Sequence, residues 1–112
     1  MWQGESPAGF NALQGRLNRK VVGKKLMADS PVVFLAYDLL RLGGSNIVNS
    51  PLRERRAMLE AFYAANAGQS EVNGMPRFLL SEIVVAHSWN ELKTLREESR
   101  ARGVEGFMLK HL

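Results

Sequence analysis

Val32-Val33-Phe34-Leu35-Ala36-Tyr37-Asp38-Leu39-Leu40 is a run of nine residues with a single charge. Its β-branched and aromatic content reads as a strand buried on both faces, with Val33, Leu35 and Leu39 in the core. Asp38 is the anomaly, because a carboxylate inside such a run costs several kcal/mol unless it is paired, hydrogen-bonded or at the strand end. One reading makes Asp38 a turn or cap acceptor where the strand ends. The other turns Tyr37 and Asp38 towards a ligand cleft.

Outward from this run, the chain alternates helical and extended patterns. Phe10, Leu13 and Leu17 recur at i, i+3 and i+7, which predicts a short helix weakened by Gly15 and ending near Asn18. Residues 3–9 are turn formers and read as a loop. The segment up to Asp29 suits a turn of helix or an edge strand, and Ser30-Pro31 punctuates it. Arg41-Leu42-Gly43-Gly44-Ser45-Asn46 predicts a turn with Ile47-Val48 returning. Ser50-Pro51 predicts a helix start, and Leu52, Leu59, Phe62 and Tyr63 give that helix a core face ending near Asn66-Ala67-Gly68. Gln69 to Pro76 reads as a polar loop, and Arg77 to Ala86 as a strand region interrupted at Ser81-Glu82. Ser88-Trp89-Asn90-Glu91 matches a capping box. Trp89, Leu92 and Leu95 form the buried stripe of the helix it opens, which Gly103 terminates. Val104 to Lys110 is the last expected strand, with Phe107 and Leu109 facing the core. The order is that of an α/β or α+β layer structure.

At 112 residues the chain amounts to one domain at most. There is no cysteine, which excludes disulfides and thiolate metal sites. Without a long apolar run or an apolar leader, the expectation is a cytoplasmic protein with no membrane contact. Lys+Arg 15 against Asp+Glu 11 gives a net charge of +4, which favours a polyanion partner without proving one. Arg16, Arg19, Lys20, Lys24 and Lys25 form a cluster without an acid between them and are the better candidates for phosphate contact. Arg53, Arg55 and Arg56, and separately Arg96, Arg100 and Arg102, read as solvated helix faces with local pairing.

Four segments carry a resemblance. These are Phe10 to Lys20, Pro31 to Leu40, Pro51-Leu52-Arg53-Glu54-Arg55-Arg56 with Leu59-Glu60, and Gly103-Val104-Glu105-Gly106-Phe107-Met108-Leu109-Lys110. Together, in order and over residues 10–110, they resemble the adenylation (nucleotidyltransferase) domain of bacterial ATP-dependent DNA ligases. The resemblance implies an ATP-grasp-like α+β domain with a mostly antiparallel sheet flanked by helices. It implies that Tyr37 stacks on adenine, that Glu105 helps hold a divalent metal (Mg²⁺ or Mn²⁺), and that Gly106 keeps the backbone close to the nucleotide. It also implies that Lys110 supplies charge near phosphates, with Arg16, Arg19 and Lys20 as contacts to phosphate or DNA. Asp38 stays open between a structural acceptor and a metal contact.

ATP or AMP would be the cofactor, and nicked duplex DNA the partner. The family's nucleophilic Lys-x-Asp-Gly does not occur, since Lys24-Lys25-Leu26-Met27 and Lys93-Thr94-Leu95-Arg96 both fail the pattern. Residues 1–112 therefore read as a partial adenylation domain, an internal piece inactive alone, whose partners include the nucleophile segment and the oligonucleotide-binding barrel. An open sheet edge in such a piece predicts dimerisation or strand exchange. An RNA ligase or capping-type enzyme is the alternative within the same chemistry. A non-catalytic basic nucleic-acid-binding module, using residues 16–25, is the alternative outside it.

Overall fold

The computed structural model describes residues 2–3, 6–17, 19–66, 69, 71–72 and 74–111. They fall into two compact units. One comprises Met1–Val33 with Val84–Phe107, and the other Phe34–Ile83 with Met108–Leu112.

The second unit is built on β3 (Phe34–Ala36), which pairs in parallel with β8 (Phe78–Leu80), Phe34 opposite Phe78 and Ala36 opposite Leu80. The ladder extends by Phe34 N–H donating to the Arg77 carbonyl (2.7 Å) and Ser81 N–H donating to that of Ala36 (2.8 Å). Between the two strands lie the hairpin β4 (Arg41–Leu42)–β5 (Ser45–Asn46), α3 (Leu52–Asn66) and the hairpin β6 (Glu71–Val72)–β7 (Met75–Pro76). Helix α3 lies against β8. The Phe78 ring meets Tyr63 edge-on (5.4 Å) and Phe62 edge-on (6.1 Å), and stacks with Phe34 (5.9 Å). Such offset and T-shaped pairs suit the ring quadrupole. Leu59 of α3, 2% exposed, and Ala36 are the buried apolar residues among those described.

In the first unit, β1 (Trp2–Gln3) pairs antiparallel with β2 (Ser6–Pro7), where a loop was expected. Helix α1 (Phe10–Leu17) runs through Gly15, and α2 (Lys24–Asp29) follows. Asn18 lies outside the described residues. The Phe10/Leu17 face of α1 is exposed; the helix is tied down instead by Arg16 Nη1 donating to the Ser30 carbonyl at the end of α2 (2.6 Å).

Helix α4 (Trp89–Glu97) opens on the expected Ser88 cap, with Glu91 N–H donating to Ser88 Oγ (3.1 Å), while Glu91 Oε2 accepts from His87 N–H (2.7 Å), one residue before the amide that a capping box uses. A 3-10 turn (Glu98–Arg100) continues it to Gly103, at φ +68°. There Val104 N–H donates to the Ser99 carbonyl and Gly103 N–H to that of Arg100. This pair of bonds is a Schellman closure, which requires the left-handed residue that glycine supplies.

Several expectations are corrected. The 32–40 run yields three strand residues rather than nine, and Phe34, Leu35, Tyr37 and Leu40 are exposed. Strand length follows the hydrogen-bonding partner, and β8 is itself only three residues long. The 77–86 region accordingly stops at Leu80. Among the described residues the strand ladders are two-stranded, three of them short antiparallel hairpins, whereas the longer β3–β8 ladder is parallel and not antiparallel.

The return strand after Gly43-Gly44 is Ser45–Asn46, with Ile47 N–H closing on the Leu40 carbonyl (2.9 Å). Gln69 to Pro76 contains a hairpin rather than a plain loop, and Ala67-Gly68 lies outside the described residues. Residues 104–111 form no strand, and Met108 and Leu109 are exposed. Trp89, placed on a buried stripe, is 79% exposed: it is the first residue of α4, where the side chain precedes the half-buried Leu92 and Leu95.

Candidate functional site

The best-organised polar cluster lies in the second unit around Asp38, at the point where β3 ends. Asp38 is the carboxylate that the apolar run could not accommodate unaided. Arg55, in the first turns of α3, donates Nε to Asp38 Oδ1 (2.9 Å) and Nη2 to Oδ2 (3.0 Å), a bidentate pairing. Lys110 Nζ donates to Oδ2 (2.9 Å), and the Leu39 N–H donates to Oδ1 (2.8 Å). Arg55 Nη1 also donates to the Ser50 and Val48 carbonyls, so the same guanidinium ties down the loop that leads into α3.

The Asp38 side chain is 9% exposed, that of Arg55 14% and that of Lys110 27%. Hydrogen bonding to Arg55, then to Lys110 and Leu39, holds the Asp38 carboxyl far below the usual carboxylate range against the opposing effect of burial. The hydrogen bonds to Asp38, helped by its charge, in turn raise the pKa of the Arg55 guanidinium. One carboxylate against two cations leaves a net positive charge in the cluster, which suits an anion.

Lys110 makes a second contact. Its Nζ sits 4.5 Å from the centroid of the Tyr37 ring, a cation–π arrangement. Tyr37 remains 54% exposed, so its ring is accessible as a stacking surface. The structure thus brings together two of the expected nucleotide residues, Tyr37 and Lys110, and joins them through Asp38. Asp38 acts here as a structural acceptor.

Glu105 and Gly106 belong to the first unit. Glu105 is exposed on a shallow concavity shared with Arg96, Glu97, Ser99 and Arg100. No group of three potential metal ligands occurs among the described residues. With Glu97 the other carboxylate on that concavity, Glu105 fits a divalent cation only as part of a sparse carboxylate set, as Mg²⁺ accepts when phosphates and water complete its shell. Gly106 has φ +156°, rarely adopted by residues with a side chain, yet open space surrounds the position a Cβ would take. The glycine meets a backbone requirement, not a steric one.

The basic residues 16–25 divide. Arg16 is half-buried and committed to Ser30, whereas Arg19 and Lys20 are exposed. Arg19 donates Nε to the Gly15 carbonyl (3.2 Å) and shares a shallow concavity with Lys25 and with the acidic Asp29.

Sequence reading missed Arg55 and Arg56 as structural residues. Arg55 was taken for part of a solvated face, but it falls three residues after Leu52 and four before Leu59, on the stripe that faces inward. A cation on that stripe and an unexplained carboxylate in an apolar run form a pair that spacing alone could have suggested. Arg56 donates Nη1 to the Ser81 carbonyl (2.9 Å) and Nε to Glu60 (2.6 Å), linking α3 to the end of β8.

Residues 2–112 match the family model described as ATP dependent DNA ligase domain. The chain is 32% identical to a probable DNA ligase of Koribacter versatilis over 99% of its own length and 22% of the relative's. It is 32% identical to a probable DNA ligase of Opitutus terrae over 97% of its length and 13% of the relative's. It is 28% identical to a DNA ligase of Methanopyrus kandleri over 95% and 18%. The chain spans between 13% and 22% of the length of these relatives. No solved structure matches it.

Proposed function

The chain belongs to the ATP dependent DNA ligase domain family, and from that premise we propose that it supplies the base-stacking and phosphate-facing part of an adenylation domain. The whole protein would seal nicks in duplex DNA. In that reaction a lysine amine attacks the α-phosphorus of ATP and pyrophosphate leaves. The resulting AMP passes to the 5′-phosphate at the nick, and the 3′-hydroxyl then displaces AMP as the strand closes. The names of the relatives favour DNA over RNA as the substrate.

Within this scheme Tyr37 is the adenine platform, because a π-face accepts a base without reading its sequence. Lys110 supplies positive charge to the phosphates, and Asp38 with Arg55 holds both residues at the end of β3. Glu105 is the candidate carboxylate for a divalent cation, which when bound would neutralise phosphate charge. Gly106 holds the backbone beside it in a conformation other residues avoid. Arg16, Arg19 and Lys20 are the candidates for DNA phosphate contact, with the exposed Arg19 and Lys20 the stronger pair.

The observation that carries this reading is the exposed Tyr37 ring beside an anchored ammonium. Titrating ATP into the chain tests it. Base stacking is worth about 1–3 kcal/mol, so Tyr37→Ala should weaken binding about tenfold while Tyr37→Phe retains it. Equal affinity for all three proteins would overturn the assignment.

A lysine nucleophile is required for the covalent step, and these residues contain no Lys-x-Asp-Gly. Incubation with α-labelled ATP and Mg²⁺ is therefore expected to leave no AMP on this chain. A covalent adduct would refute that expectation.

A further inference from the structure

Lys110 stands in two relations at once: it is bound to Asp38 and it covers the ring of Tyr37. A base that stacks where the ammonium now sits has to displace it. The Asp38 cluster is built so that this displacement is cheap. Oδ1 already accepts from Arg55 Nε and Leu39 N–H, and Oδ2 from Arg55 Nη2, so the carboxylate keeps three donors after Lys110 leaves. Lys110 is also the most exposed member of the cluster, and its four-carbon stem can pivot. Arg55 is the fixed partner and Lys110 the removable one.

We propose that Lys110 is a specificity-determining residue that guards the Tyr37 platform and selects phosphorylated nucleotides over bare nucleosides. This deepens the reading of Tyr37 as the base platform and rests on it. An uncharged nucleoside must break the cation–π contact and gives the ammonium nothing in exchange. A nucleotide offers phosphate oxygens to the displaced ammonium, so the loss is offset. Asp38 is the positioning residue: it holds Lys110 on the ring.

The test is a pair of calorimetric titrations, adenosine and ATP, each without divalent cation. An exposed cation–π contact is worth about 0.5–1 kcal/mol, so Lys110→Gln should bind adenosine about two- to fivefold more tightly. The same variant should bind ATP more weakly, so that the preference for ATP over adenosine narrows. Lys110→Arg, which keeps both the charge and the stacking, should preserve the preference and guards against a Gln variant that fails to fold.

Unchanged or weaker adenosine binding by Lys110→Gln, with Tyr37→Ala still lowering affinity, would overturn the guard while leaving the platform standing. Adenosine binding indifferent to Tyr37→Ala in both the Lys110 and Gln backgrounds would remove the platform and the guard together.

Discussion

Asp38 accepts from two nitrogens of one arginine, from a lysine and from the next backbone amide, just past the end of the apolar strand β3. Removing one partner of a largely buried pair leaves the other desolvated and unpaired. Asp38→Asn should cost about 2 kcal/mol in urea unfolding and Arg55→Ala should also destabilise, whereas Lys110→Ala, losing a half-exposed donor, should cost under about 1 kcal/mol. The pH dependence follows from the depressed carboxyl. Its stabilising contribution is complete above the ordinary value of 3.8 and is lost as pH falls from there towards the lower folded value. The stability difference between the parent chain and Asp38→Asn should thus hold steady above about pH 5 and shrink below about pH 4. A difference that grows in acid would contradict the pairing. Sequence reading found the awkward carboxylate but not its partner, because Arg55 was judged by its charge and not by its place beside Leu52 and Leu59.

At the scale of elements, legibility tracks the range of the interactions. The start of α4 is encoded within five residues, His87 to Glu91: the Ser88 bond forms as expected, and Glu91 reaches back to the His87 amide instead of that of Ser88. Gly43 and Gly44, at φ +56° and +87°, mark their hairpin for the same local reason. Strands were harder to read, since a run of apolar residues declares its burial preference but not its partner. Val32 to Leu40 and Val104 to Lys110 both read as strands, yet only the first finds a ladder here, and only for three residues. Ser88→Ala should cost about 1 kcal/mol and accelerate amide exchange in the first turn of α4, leaving β3 and β8 amides unchanged. Equal acceleration in both regions would mean that the cap stabilises more than its own helix.

At the scale of the molecule, each unit stands on few buried side chains. In the second, the buried Leu59 and Ala36 are joined by an aromatic group centred on Phe78, whose ring meets Phe34, Phe62 and Tyr63. Phe78→Ala removes the shared ring and should cost about 3 kcal/mol, more than truncation of the more exposed Phe34 or Phe62. A smaller loss than for Phe62→Ala would show that the cluster is not centred where the rings meet. The candidate site was legible as residue types through resemblance. The arrangement of Lys110 over Tyr37 was not, because it joins positions that no local pattern connects.

The parallel pairing of Phe34 with Phe78 also sets the order in which this unit can assemble. The two glycine-turn hairpins close over two residues and can form within microseconds. The β3–β8 ladder must bring together positions roughly forty residues apart, and its closure entropy is spent before any ladder bond is made. Folding should therefore wait on that ladder. In stopped-flow experiments Phe78→Leu should slow refolding, while Gly44→Ala, which strains only a hairpin, should mainly hasten unfolding.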